Sequence, residues 1–270
     1  MSTLTTQTTY TAPVKVFTAD GQYGLANAFR DCAKQGYTPV SAPLAAFLRS
    51  QPDSRDLWFN SSGQRIWNDV QSTRLKAKTK GGAEVILFNH TGRALDKIMP
   101  AAKAGEANIQ YTPAQMRAAI QQAEQGTLDQ YGLPLVTLMS AELFNKFTSG
   151  QNVSFDAIRE HPQTEGFFGP KDSAVGDIAA AYVNELRNQG FSVIRHYWVN
   201  DEIGAACVLA LGNFNDCGAV NGIYYYGGRV VGVGEPKASA NKLVGAIAPT
   251  APESVPIKDL EALIAQARKP

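Results

Sequence analysis

The sequence predicts an α+β protein, helices packed on a mainly antiparallel β-sheet with two Gly-Gly hairpins, and three observations carry that prediction. Gly81-Gly82 stands between two strand-like runs, and Gly227-Gly228 stands between two more; glycine takes the positive φ that tight hairpin turns demand. Segments with helical apolar spacing end in a glycine suited to close them. No strand-helix-strand unit stands out to argue for a parallel sheet.

Composition narrows the class first. With 270 residues, 44% hydrophobic, 18% charged and a net charge of +1, the chain is neither an extended disordered polymer nor a wholly polybasic protein. Its length is enough to bury roughly 70 to 75% of the unfolded surface, without a metal or disulfide staple. Cys32, Cys207 and Cys217 are odd in number and not in CxxC spacing, which fits a reducing, cytoplasmic location. The Thr-rich start lacks a basic segment and an apolar run, so residues 1–12 are expected to be a disordered tail and not an export signal. The triplets at Asn60, Asn89 and Asn152 are then expected to carry no glycan. No stretch approaches the ~18 to 20 apolar residues of a membrane helix, so no membrane partner is expected.

Along the chain, Leu25, Phe29 and Cys32 recur at helical spacing between Asp20, a capping residue, and Gly36. Tyr37 to Val40 reads as a short strand, and Ser41 with Pro43 opens a helix through Arg49. Trp58, Phe59, Ile66 and Trp67 follow in an Asn-, Ser- and Gly-rich stretch that has no clean assignment. Thr73 to Lys80 and Ala83 to Asn89 flank Gly81-Gly82 as a hairpin with a type I′ turn. Residues 100–112 lack periodicity and read as a connection, after which Thr112-Pro113 starts a helix to about Gln125. Leu133 to Leu138 reads as a strand, Ser140 as the cap of a helix through Phe147, and the Gly- and Pro-rich His161 to Lys171 as loop. Asp172 to Gln189 is a helix with Ile178, Tyr182 and Leu186 on one face. Beyond Gly190 a meander is expected: Phe191 to Val199, Ala206 to Leu211, a polar loop to Asn221, Ile223 to Tyr226, then Arg229 to Val233 after the second Gly-Gly pair. Pro249, Pro252 and Pro256 punctuate a linker before an amphipathic helix carrying Ile257, Leu260, Leu263 and Ile264.

These readings divide the chain into a tail at 1–12, a basic unit at 13–110, an acidic unit at 111–248 that can form one domain with the first, and a linker with terminal helix at 249–270. Ala33 to Tyr37 and Arg187 to Phe191 both close a helix with glycine and enter a strand through an aromatic. That echo is read as the ordinary grammar of helix-to-strand connections and not as a duplication.

The near-neutral total hides an asymmetry. Residues 1–110 hold 13 Lys and Arg against 8 Asp and Glu; residues 111–270 hold 12 against 16. Within the basic half, Arg74, Lys76, Lys78 and Lys80 alternate with Leu75, Ala77 and Thr79, and a strand puts such alternating residues on one face. A solvated ladder of this kind tracks a phosphate backbone or an acidic protein, with Trp58, Phe59 and Trp67 as stacking partners. Lysines that merely protect an edge strand are the competing reading. The charge split also admits head-to-tail self-association.

Three other groups are candidates for chemistry. Cys217, with His196 as base and Asp216 or Asn213 as orienter, is the nucleophilic candidate, of the kind a hydrolase or acyl transferase uses; plain packing is the competing reading. His90 with Arg93 and Asp96 forms a turn suited to an anion. Trp58, Trp67 and Tyr224 to Tyr226 are a candidate small-ligand pocket. Gly212 to Gly218 fails as a calcium loop, because Cys217 replaces an oxygen ligand and Tyr224 stands at the bidentate position. The Gly228 to Lys237 stretch fails as a phosphate loop. No metal or other cofactor is therefore expected, and the leading expectation is a non-catalytic binding or assembly protein with a basic contact face. The thiol enzyme is the alternative.

Overall fold

The structure, a computed structural model, describes residues 12–51, 55–59, 66–93, 95–106, 108–198, 202–212, 215–220 and 227–235. The expected tail up to residue 11, the Pro-rich linker and terminal helix, Asn213 and Tyr224 to Tyr226 lie outside these residues. The described residues all belong to one compact unit.

The first described element is strand β1 (Val14–Asp20), and helix α1 (Gly24–Lys34) follows. Asp20 therefore ends a strand and caps nothing. The helix begins instead after Tyr23, held at φ 69°. Strand β2 (Thr38–Pro39) and helix α2 (Ala42–Arg49) come next, and the Ser41 hydroxyl accepts the Leu44 N–H to cap α2. A short turn of helix, α3 (Arg55–Trp58), precedes β3 (Asn68–Lys78) and β4 (Glu84–Asn89).

β3 and β4 pair antiparallel, Lys78 opposite Glu84, around Gly81-Gly82. Gly82 alone of the two takes a positive φ, +85°, while the Gly82 N–H donates to the Thr79 carbonyl. The turn is thus a five-residue connection with one left-handed glycine, and not the two-residue type I′ turn. Residues 95–110 then hold helix α4 (Leu95–Lys103) and strand β5 (Ile109–Gln110) in place of the expected connection. α4 buries Ile98, Ala101 and Ala102 despite an internal proline, so tertiary burial outweighed local signals there.

Helix α5 (Pro113–Glu124) starts with a full capping box, Thr112 and Gln115 each bonding the other's backbone. Strand β6 (Val136–Ser140), helix α6 (Ala141–Phe144) and strand β7 (Gln151–Ser154) follow. The stretch read as a loop from His161 contains helix α7 (Pro162–Phe168). Pro162 opens it, and His161 Nδ1 accepts the Gln163 N–H, a capping role that glycine-rich composition disguised. Helix α8 (Ile178–Asn188) is capped by Asp177.

Strands β8 (Val193–Trp198), β9 (Ala205–Leu211), β10 (Asp216–Val220) and β11 (Gly227–Val233) do not form a simple meander. β10 lies between β9, to which it is antiparallel, and β8, to which it is parallel. Part of the expected polar loop is therefore strand. Gly227 and Gly228 do not turn the chain either: they lie in β11 opposite Asp20 and Ala19 of β1. A Cβ on Gly228 would sit 2.4 Å from Leu25 Cα and 2.7 Å from the Gly24 carbonyl oxygen. Gly228 is there so that α1 can press its backbone onto the sheet, whereas a Cβ on Gly227 would meet nothing nearer than Asp20 Oδ1 at 4.0 Å.

Together the strands make an 11-stranded mixed sheet in which β3 is central, pairing with β9, β4 and β11. Leu75, Ala77, Val85 and Leu87 face one core, shared with Leu25, Phe29, Ile98 and Ile120 of α1, α4 and α5. Ile86, Phe88, Cys207 and Leu209 face the other, shared with Leu44, Leu48, Phe167, Phe168 and Tyr182 of α2, α7 and α8. Each large side chain buried this way contributes roughly 1.5 to 3 kcal/mol. Among the described residues no helix is long and apolar enough to cross a membrane.

Candidate functional site

The alternation of β3 puts Arg74 and Lys76 on the Phe88 side of the sheet, because Arg74 pairs with Phe88 and with Cys207. That face is covered. Arg74 is only 2% exposed, and its guanidinium carbon lies 5.0 Å from the Phe144 ring centre and 5.8 Å from that of Trp198. The expected four-cation solvated ladder is therefore not formed: Lys78 and Lys80 are exposed, Lys80 in the turn beyond the strand, while Lys76 is half-buried. The reason is topological: β3 is paired along both edges, and Phe144 and Trp198 close over Arg74.

A cleft of about 290 Å³ opens above Arg74 and Lys76, walled by Phe144, Phe147, Ser149 and Trp198. Its walls are held from behind. Ser149 Oγ donates to the Trp198 carbonyl at 2.6 Å and accepts the Trp198 N–H at 2.9 Å. Phe144 meets Trp198 edge to face, 5.6 Å between centres and 90° between planes. Behind Trp198, His161 and His196 stack at 4.1 Å and 10°. Burial lowers both pKa values, that of His161 to about 4 and that of His196 well below its ordinary value, with His161 adding to the effect on His196. At the rim, Lys76 Nζ pairs with Glu84 Oε2 at 2.9 Å, and Lys78 Nζ stands 3.9 Å from Glu84 Oε1. Phe144 and Trp198 both lie to one side of the Arg74 guanidinium, since their own ring centres are only 5.6 Å apart. The cleft is lined by two cations, Arg74 and Lys76, a lining that attracts anions.

Cys217 and His196 are direct neighbours in the β10–β8 register, both 0% exposed. Asp216 points to the opposite face of the strand, next to Arg195 in register, so it does not orient His196. His196 Nε2 instead lies 3.3 Å from Thr164 Oγ1. His90 is not an exposed turn residue: it is 3% exposed, its Nδ1 is 2.7 Å from Ser72 Oγ, and burial drives its pKa down to about 3. Arg93 and Asp96, by contrast, are exposed. Trp58 is fully buried, with the Arg49 guanidinium 5.9 Å from its ring, which rules it out as a stacking surface. Trp67 is half-buried ahead of β3. Among the described residues no group of three or more His, Cys, Asp or Glu side chains is placed to hold a metal ion.

Sequence reasoning missed Trp198, Phe144, Ser149 and Glu84. The alternating cations include two residues that line this cleft, Arg74 and Lys76, but nothing local says which aromatics will close over them.

No protein-family model matches the chain, and no curated protein matches it. A solved structure from work on the accommodation of massive sequence variation in Nanoarchaeota by the C-type lectin fold is similar to it, with a TM-score of 0.63 and 19% identity. The likeness covers 82% of this chain and 98% of that one. At that identity it speaks for the fold alone: the described sheet and helices have a C-type lectin fold.

Proposed function

We propose that this chain is a non-catalytic binding protein that seats an acidic side chain of a protein partner in the Arg74 cleft. One observation carries the reading: a cleft whose lining holds two cations, Arg74 and Lys76, beside Phe144, Phe147 and Trp198. The C-type lectin fold, known from the similar structure, is in keeping with a binding role. Volume supports a side chain as occupant, since about 290 Å³ holds one carboxylate and its stem. A nucleic-acid backbone is less well supported, because it needs a row of exposed cations and β3 supplies too few.

The test is fluorescence anisotropy with a fluorescein-labelled hexaglutamate peptide at low salt, against hexalysine and a thymidine oligonucleotide. Wild type is expected to bind hexaglutamate alone, and R74M to lose tenfold or more, since a charge-assisted hydrogen bond is worth roughly 1.5 to 3 kcal/mol. R74K, which keeps the charge, serves where R74M disturbs the fold, as near-ultraviolet circular dichroism reports. Absence of hexaglutamate binding, or full binding by folded R74M or R74K, overturns the proposal. Oligonucleotide binding in its place restores the nucleic-acid reading.

The thiol-enzyme reading keeps one observation, the Cys217–His196 neighbourhood. Full burial of both stands against it.

A further inference from the structure

A larger cavity, of about 420 Å³, shares no lining residue with the Arg74 cleft. It is framed by β2, the start of α2, the end of β11 and the loop between α5 and β6. Its charge is opposite to that of the cleft: Asp129 and Glu235 line it, and among the described residues no Lys, Arg or His does. Asp129 is held in place, because its Oδ1 accepts the Tyr131 and Leu133 N–H groups at 2.8 and 2.9 Å. Its Oδ2 makes no hydrogen bond among the described residues. Burial raises the Asp129 pKa, and only those two N–H bonds pull it back. A half-buried carboxylate without a counter-charge attracts a cation, and the Tyr131 ring in the same lining adds to that attraction. A second, independent observation comes from Ser41, which lines the cavity and is 5% exposed. Its Oγ accepts the Leu44 N–H, while its own O–H meets no acceptor among the described residues. Buried donors are as a rule satisfied, so this one calls for an acceptor.

We infer that this cavity is a second binding site, for a small free amino alcohol whose ammonium meets Asp129 and whose oxygen accepts the Ser41 O–H. Charge selects the ammonium, since an anion would face two carboxylates and no cation. The unused hydroxyl donor selects the oxygen. A lysine side chain of a protein brings its ammonium on an apolar stem and offers Ser41 no acceptor, so a free molecule suits the lining better than a protein-borne amine. The volume is within the range of small-molecule sites. The inference does not depend on the Arg74 cleft.

The experiment is calorimetric titration of the full chain with linear amino alcohols of two to six carbons, beside butylamine, butane-1,4-diol and hexalysine, at one pH and salt concentration. At least one amino alcohol is expected to bind, roughly tenfold more tightly than the diol and several-fold more tightly than butylamine, with hexalysine unbound. D129N keeps an acceptor for the Tyr131 and Leu133 N–H groups but carries no charge, and is expected to lose roughly tenfold. E106Q, which alters a carboxylate outside the lining, is expected to bind as wild type does. Where D129N disturbs the fold, as its urea midpoint reports, E235Q takes its place with an expected loss of about two- to threefold, since Glu235 is exposed. Failure of every amino alcohol to bind overturns the inference, and so does equal binding by butylamine or the diol. Full binding by the folded variant, or an equal loss in E106Q, also overturns it. Hexalysine binding in place of the amino alcohols overturns it by showing a protein-borne amine as the occupant.

Discussion

His161 and His196 stack ring on ring, 4.1 Å between centres, in a part of the core where His161 is 1% exposed and His196 is 0% exposed. Two imidazoles at that distance cannot both carry a proton without severe repulsion. His161 comes from the cap of α7 and His196 from β8, so the pair joins a helix start to the sheet directly behind Trp198 of the cleft.

The first prediction concerns acid. A histidine whose pKa is lowered by folding binds its proton more readily when unfolded, so its stabilisation is complete above the unfolded pKa of 6.5 and is lost as pH falls below it. For His161 the loss runs from 6.5 to about 4, and for His90 to about 3. The His161 window alone is worth on the order of 3 kcal/mol. Urea midpoints are expected to drop steadily from pH 7 to pH 4.5, and H161N, which keeps a capping acceptor, is expected to show a shallower drop. A flat profile in wild type would contradict the burial argument.

Asp69 has the opposite sign. It is 3% exposed on β3, accepts the Arg229 N–H, and burial raises its pKa to about 8. A carboxyl raised in this way favours the fold fully below 3.8 and loses that contribution as pH rises to about 8. D69N keeps an acceptor for Arg229 and cannot ionise. Its stability relative to wild type is therefore expected to improve between pH 5 and pH 8.5, measured by the same urea midpoints.

The two Gly-Gly pairs are expected to respond differently to alanine. At Gly228 a methyl group would meet the backbone of Gly24 and Leu25 at 2.4 to 2.7 Å, and neither α1 nor β11 can shift cheaply. At Gly81 the nearest atom is Thr79 Oγ1, at 3.9 Å. G228A is expected to cost 3 kcal/mol or more, or to prevent folding, while G81A stays within about 0.5 kcal/mol of wild type. Thermal unfolding of the two variants decides it.

Thiol labelling separates binding protein from thiol enzyme. Cys32, Cys207 and Cys217 are all buried, and burial pushes the Cys32 thiol up to about 12. Native protein at pH 7.5 is expected to label slowly at all three, with rates rising alongside the unfolded fraction in urea. Rapid labelling of Cys217 in folded protein would revive the thiol reading, and retention of hexaglutamate binding by C217A would count against it.

What was legible in the sequence was local. Thr112 with Pro113 and Gln115, Ser41 with Pro43, and the Leu25–Phe29–Cys32 stripe each mark a helix through bonds and contacts made within a few residues. The alternation of Arg74, Lys76 and Lys78 set which side chains share a face of β3. Which face met solvent was not a local matter. It depended on Phe144 and Trp198, 70 and 124 positions away in the sequence, closing over Arg74, and on β11 and β9 both pairing with a strand that composition alone would place at an edge. Gly227-Gly228 makes the same point in the backbone: the residue type permits a turn or a close approach, and the packing of α1 onto β11 chose the second. Hydrogen bonding along a segment can be read from its own residues, whereas burial is decided by segments that meet only after the chain has folded.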